Sequence, residues 1–509
     1  MKPERVFDRS DITENTELAC DVVVVGSGAG GATAAAEFAE AGYDVIVLEE
    51  GSYYGTKDFT PNASDMIRKM YRGGGATMAL GSPPVLYQEG SVVGGSTVLN
   101  GGMSWRTPEE ILDRWERESE IDNIRAKDME PYFERVEKRI NVAYQDPESI
   151  GRDNQILKDG ADAKGWNVIP NLRNQVHCPG SNNCAFGCPT GAKQSALVSY
   201  LPRALHYGAC IYSNIRASRI LRDGKRATGV IGHVTNTNGS PSHEVKVHAK
   251  LVVAACGSVH TPALLHRSGL KTRSGLLGKN LSLHPNTKLV AIYDEPVRGW
   301  EGVHQAYQVR EFHDQGFLFA AVNVPPSVVA MSSPYYGKEL GDLMDLYERT
   351  VVAGLMVEDT QMGHLKFLPG GHPQAFYNLS DFDAERLVRG SALLAELLFE
   401  TGAKRIIPPF AGVGELTSVD ELRKLYRSKI PKSSMEVLTV HLMGSACMGG
   451  DPSRSVTDMY GMVHDTVGLM VADASLFPTP VGVNPMETIQ ALSTRNVHHI
   501  LQSPRQYQL

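Results

Sequence analysis

The chain has 509 residues, is 42% hydrophobic and 21% charged, and carries a formal net charge of -7. Such a composition excludes an intrinsically disordered chain, and the length allows two or three domain-sized units at roughly 150 residues each. The acidic balance, with no run of Lys or Arg, excludes a protein that tracks phosphates along a nucleic acid.

Met1 to Cys20 is polar and charged, without the apolar segment of a secretory signal. The longest uncharged stretch, Gly316 to Gly337, is broken by Asn323, Pro325 and Pro326, which argues against a spanning helix. The chain is therefore expected to be cytoplasmic. Seven cysteines in a chain of this length make no disulfide framework.

Asp21 to Gly26 reads as a short buried β-branched strand that ends in a glycine. Gly26, Gly28 and Gly31 follow with G-x-G-x-x-G spacing, then an Ala-rich helix over 32–42 and a second strand over 44–48 that ends at Glu49. Gly26 suits the tight turn, Gly28 lets backbone N–H groups approach a pyrophosphate, and Gly31 lets helix and strand pack closely. Glu49 lies at the distance where a carboxylate accepts from a ribose diol, with Glu50 as the next candidate. Strand, glycine turn, helix and acid together predict dinucleotide binding; a glycine-rich turn alone would not.

A second glycine-rich loop contains Gly94, Gly95, Ser96 and Asn100, and its free N–H groups suit an anion or a ring. The interleaved Val92, Val93, Val98 and Leu99 argue against a loop that is merely exposed. Cys178, Cys184 and Cys188 then fall within eleven residues as C-x5-C-x3-C-P. Thiolates at that spacing can ligate iron or zinc, and the last part echoes ferredoxin-type runs. Reduced buried cysteines, or one disulfide and a free thiol, are the competing readings. A hairpin is predicted around Asp223-Gly224, and 251–265 reads as strand, sharp turn and helix. His284-Pro285, His441-Leu-Met-Gly444, Val-Ala-Asp473-Ala-Ser475 and Gly482-Val-Asn484-Pro-Met complete the set, the last leading into a final helix.

Carried in this order from about Cys20 to Ile500, these motifs resemble the glucose-methanol-choline oxidoreductases, and most of all their long-chain alcohol oxidase branch. Cholesterol oxidases share the Asn100-Gly-Gly-Met and Gly-Val-Asn-Pro wording. The resemblance implies an α/β fold: a Rossmann-like FAD-binding domain beside a substrate domain built on a mixed sheet. The expected division is FAD-binding over 15–105, 195–290 and 435–509, a cap and cysteine-loop insertion over 106–194, and a substrate domain over 291–434. It assigns Gly26, Gly28, Gly31 and Glu49 to the ADP segment, and Gly94, Gly95, Ser96 and Asn100 to a loop beside the flavin. Asp473 becomes the C-terminal FAD-binding acid, and His441 and Asn484 the catalytic pair. Members that bind FAD covalently often place a histidine where this chain has Leu99, so a dissociable FAD is expected.

Alcohol oxidation needs a group to take the hydroxyl proton while hydride leaves the same carbon. A neutral imidazole at His441 suits that task, with Asn484 fixing the oxygen. Glu358 is a weaker second base by analogy with cholesterol oxidases; an exposed turn acid is the plainer reading. The predicted function is oxidation of a hydrophobic or aryl alcohol, with O2 or an external acceptor taking the electrons. The alternative is a sugar or polyol dehydrogenase, because the cysteine spacing is also similar to that of FAD-dependent glucose dehydrogenases that carry an iron–sulfur cluster. A non-redox flavoprotein, such as a lyase on the same fold, is a third reading.

Overall fold

The computed structural model describes residues 2–331, 333–427 and 429–509, except the side chains of Met331, Arg423, Lys424 and Arg427. Among the described residues two large sheets organise the chain. The first is built on Thr16–Val25, whose Val22 to Val25 are fully or almost fully buried. This continuous β-branched run suits a strand covered on both faces. Val45–Glu49 pairs with it in parallel on one side and Pro241–Ala254 on the other. Leu469–Val471 adds a further parallel partner, so the C-terminal part of the chain returns to this sheet. The predicted hairpin is present: Ile215–Asp223 pairs antiparallel with Arg226–Thr235, closing at Asp223 and Arg226.

Helix Ala29–Glu40 fills the face beside these strands with small residues, Ala32 and Ala34 to Ala36 being inaccessible to solvent. The close packing this allows brings the C-terminal helix Met486–Gln502 against it, with Ser493 donating to the Gly30 carbonyl at 2.9 Å.

The second sheet is mixed. Its central strands Asn286–Ile292, Thr350–Val357 and Phe317–Ala321 are antiparallel. Val437–Thr439 joins Val85–Tyr87 in parallel, and Val168–Pro170 lies at the far end. Strands at 77–79, 85–87 and 168–170 thus belong to this sheet, so the chain passes between the two layers early as well as late. The apolar stripe of helix Asp381–Glu400, including Leu387, Leu394 and Leu398, seals one face over Leu289, Phe319 and Leu355. The other face of the sheet is left for a cavity. Among the described residues no helix is long and apolar enough to cross a membrane.

Candidate active site

A cavity of about 480 Å³ runs along the junction of the two sheets. The Gly26–Gly30 loop and Glu49 line one end; His441 and Asn484 line another part, with Leu318 and Met356 of the second sheet.

At the first end Gly26 has φ +100°, and a Cβ there would lie 2.2 Å from the Ala255 carbonyl oxygen. Only glycine fits this turn. Gly28 begins the helix without a side-chain cap, so the free N–H groups of its first turn are available to an anion. A Cβ built on Gly28 meets only Gly95 Cα, at 4.0 Å. Gly31 is closed in the opposite sense: its Cβ would stand 2.0 Å from the Gly26 oxygen. Glu49 accepts from Ser27 N at 2.9 Å and Ser27 Oγ at 2.7 Å, and from Gly51 N at 2.8 Å. Its burial pushes the carboxyl pKa upward against those three hydrogen bonds. Glu50 points instead to Arg72, at 3.0 Å.

The two glycine-rich loops touch. Gly94 N donates to Ser27 Oγ at 2.9 Å, and Gly95, at φ +56°, lies so close that a Cβ would reach 2.6 Å from Gly28 Cα. Ser96 Oγ accepts from Gly90 N at 2.9 Å, which closes its own loop. Asn100 lines the cavity; its Nδ2 meets Met486 Sδ at 3.0 Å, and its Oδ1 is buried without a protein partner. Asp473 caps a short turn through Ser475 N at 2.9 Å and receives Gly257 N at 2.8 Å. It thereby ties the C-terminal strand to the turn after Ala254.

His441 Nε2 lies 3.2 Å from Asn484 Nδ2, and its Nδ1 lies 3.3 Å from Nδ1 of His284. Desolvation lowers the His441 pKa to about 4, so the ring is uncharged at neutral pH. His284 is fully buried and lowered well below the ordinary histidine value by the same cause and by His441. Asp359 holds the backbone of this segment, accepting from Leu283 N at 2.8 Å and His284 N at 3.2 Å. Glu358 is not among the residues lining the cavity; it stands behind the Gly482 loop, 3.8 Å from Arg114.

The cysteine loop gives the metal-cluster reading no support. Among the described residues no group of three His, Cys, Asp or Glu side chains is gathered to hold a metal ion, and all seven cysteines are free thiols. Cys184 Sγ accepts from Arg173 at 3.5 Å, while Cys188 Sγ accepts from Lys193 N at 3.4 Å. Each sulfur is thus turned toward its own partner. The loop is instead held by Lys193, which sequence reading left without a role. Its buried ammonium donates to the carbonyls of Val98 and Asn100 at 2.8 Å and of Cys184 at 2.6 Å. It lies five residues after Cys188, but nothing in that spacing announces three carbonyl partners. Ser27, between Gly26 and Gly28, was also missed, although its place within the glycine motif was a signal.

The chain also matches known proteins. Residues 67–286 and 369–493 match the GMC oxidoreductase family, and residues 21–63 match an FAD binding domain. An uncharacterized GMC-type oxidoreductase of Sinorhizobium fredii is 34% identical over 95% of this chain and 95% of its own. The chain belongs to the GMC oxidoreductase family. This GMC protein is also 29% identical to a long-chain-alcohol oxidase of Arabidopsis thaliana, over 94% of this chain and 68% of that one. Pyridoxine 4-oxidase from Mesorbium loti shares the fold with a TM-score of 0.72 at 16% identity, covering 95% of this chain and 99% of that one. Like its family, the protein is an FAD-dependent oxidoreductase. The uncapped helix N-terminus and the open approach at Gly28, on one continuous cavity with Asn100, whose buried Oδ1 has no protein partner, fit an extended dinucleotide.

Proposed function

We propose that this chain oxidises the CH–OH group of a hydrophobic or aryl alcohol to an aldehyde or ketone. The observation that carries the reading is the convergence of His441 and Asn484 on the cavity that the two glycine-rich loops also line. Bound there, FAD supplies the acceptor for the hydride that leaves the carbinol carbon. Asn484 and His441 hold the hydroxyl oxygen, and the uncharged His441 takes its proton at Nε2. Asp473, Glu49 and the glycine loops position the dinucleotide, and FAD is bound without a covalent link, Leu99 lining the cavity.

Leu318, Met356, Leu438 and Val440 offer an apolar wall to the body of the alcohol. The similarity to a long-chain-alcohol oxidase supports the same class. O2 or a diffusible acceptor reoxidises the flavin.

An anaerobic absorption spectrum of the FAD-loaded enzyme, recorded with a panel of alcohols and with iron analysis, tests this. Bleaching of the flavin bands by apolar alcohols, with recovery in air or with an added acceptor, is expected. A flavin that stays oxidised with every alcohol, or that is reduced only by sugars in an iron-containing protein, would overturn it.

A further inference from the structure

His284 touches no part of the cavity's dinucleotide end, yet two of its contacts determine what His441 can do. Gly482 N donates to His284 Nε2 at 3.1 Å. Because a backbone N–H cannot act as an acceptor, that ring nitrogen carries a lone pair. His284 is completely buried with no carboxylate against its ring, so it is neutral and holds a single proton, which must then lie on Nδ1. Nδ1 faces His441 Nδ1 at 3.3 Å, and a contact between two ring nitrogens at this distance needs one proton and one lone pair. His441 Nδ1 is therefore the acceptor. The single proton of neutral His441 is on Nε2, the nitrogen that meets Asn484.

We infer that His284 is a positioning residue that holds His441, in the substrate-free enzyme, as the tautomer protonated on Nε2. It does so through a hydrogen-bond chain that runs one way from Gly482 N–H to the Asn484 side chain. The last link orients the carboxamide. An Nε2–H at His441 cannot face the Nδ2 group placed against it at 3.2 Å, so the inference requires the carboxamide to be turned, with Oδ1 toward Nε2–H and Nδ2 toward the cavity. The other two links rest on ring and backbone nitrogens alone.

This inference rests on the reading of His441 as the group that takes the alcohol proton, and it adds a requirement to that step. The resting pair meets an incoming oxygen with two N–H donors, His441 Nε2–H and Asn484 Nδ2–H. For Nε2 to accept a proton, both rings must adopt the other tautomer: His441 then donates from Nδ1 to His284 Nδ1, and His284 carries its proton on Nε2. Each ring holds one proton before and after this reversal, so it leaves the proton count of the pair unchanged, and the only proton gained by the pair comes from the hydroxyl. Gly482 N–H loses its acceptor when this happens, so the contact at 3.1 Å biases the pair toward the donor state.

Long-range 1H–15N correlation spectra of the FAD-loaded enzyme, selectively labelled with 15N-histidine and free of alcohol, read the tautomers directly. Loss of signals in His441→Asn and His284→Leu variants assigns the two rings among the 16 histidines. The Nε2–H pattern is expected for His441 and the Nδ1–H pattern for His284. An Nδ1–H pattern for His441 in the native enzyme, or an even mixture, would overturn the inference. In the His284→Leu variant His441 is expected to populate both tautomers; an unchanged Nε2–H pattern there would remove His284 from its role. The native spectrum decides the matter even if that variant does not fold. Because no alcohol is present, the result is independent of the substrate class, which flavin bleaching tests separately.

Discussion

His441 combines a requirement for neutrality with a position at the cavity wall. Replacing it with alanine is expected to lower the rate of flavin reduction by about 10²–10⁴ while leaving the FAD absorption spectrum intact, as stopped-flow measurements would show. Equal loss of rate and bound FAD would mean that the residue serves only the fold. The pKa near 4 also sets a pH window. A histidine depressed in the folded state is protonated first in the unfolded chain, so acid favours unfolding. His441 and His284 therefore stabilise the fold fully above about pH 6.5 and lose that contribution as pH falls toward 4 and below. For fully buried His284 the slope is about 1.4 kcal/mol per pH unit. Urea unfolding between pH 7 and 5 should show this loss, whereas kcat/KM should hold until the limb near pH 4.

Among the elements, the loop carrying Asn100 is tied to the cysteine loop by Lys193. A Lys193→Met variant keeps the buried stem but leaves three carbonyls without a donor. Leaving buried acceptors unpaired costs about 1–3 kcal/mol each in the unrelaxed limit. A lower melting temperature together with weaker FAD binding is expected, measured by thermal melting and by titration of the apoprotein. Unchanged FAD affinity would show that the flavin-side loop holds its shape without the lysine. The cysteines around Lys193 teach the same lesson about local reading. Their spacing was compatible with a metal site, but thiolates ligate only if the backbone turns the sulfurs toward one point, and here Cys184 and Cys188 face separate partners.

Across the whole molecule the cavity lies between two sheets with separate apolar cores, one around Val22–Val25 and Ala34–Ala36, the other around Leu289, Phe319 and Leu355. A dinucleotide that binds only the folded chain stabilises it by mass action, about 2.7 kcal/mol at a free concentration 100 times its Kd. Stripping FAD is expected to lower the melting temperature, and adding it back at increasing concentration should raise it progressively. A melting temperature independent of FAD would contradict binding across this junction.

Strand, glycine turn, helix and terminal acid were legible in the chain because each is a local pattern: a β-branched run, glycine spacing and a fixed distance to Glu49. The placement of His441 and Asn484 in one site was legible only through resemblance, since 43 residues separate them and no periodicity links them. The sequence by itself determined the dinucleotide unit, the hairpin at Asp223–Gly224 and the family. Tertiary structure alone decided that Lys193 serves three carbonyls, that Cys184 and Cys188 face separate partners and that His284 stands against His441. Those outcomes depend on where separated backbone segments meet, and burial then dictates which polar groups must pair.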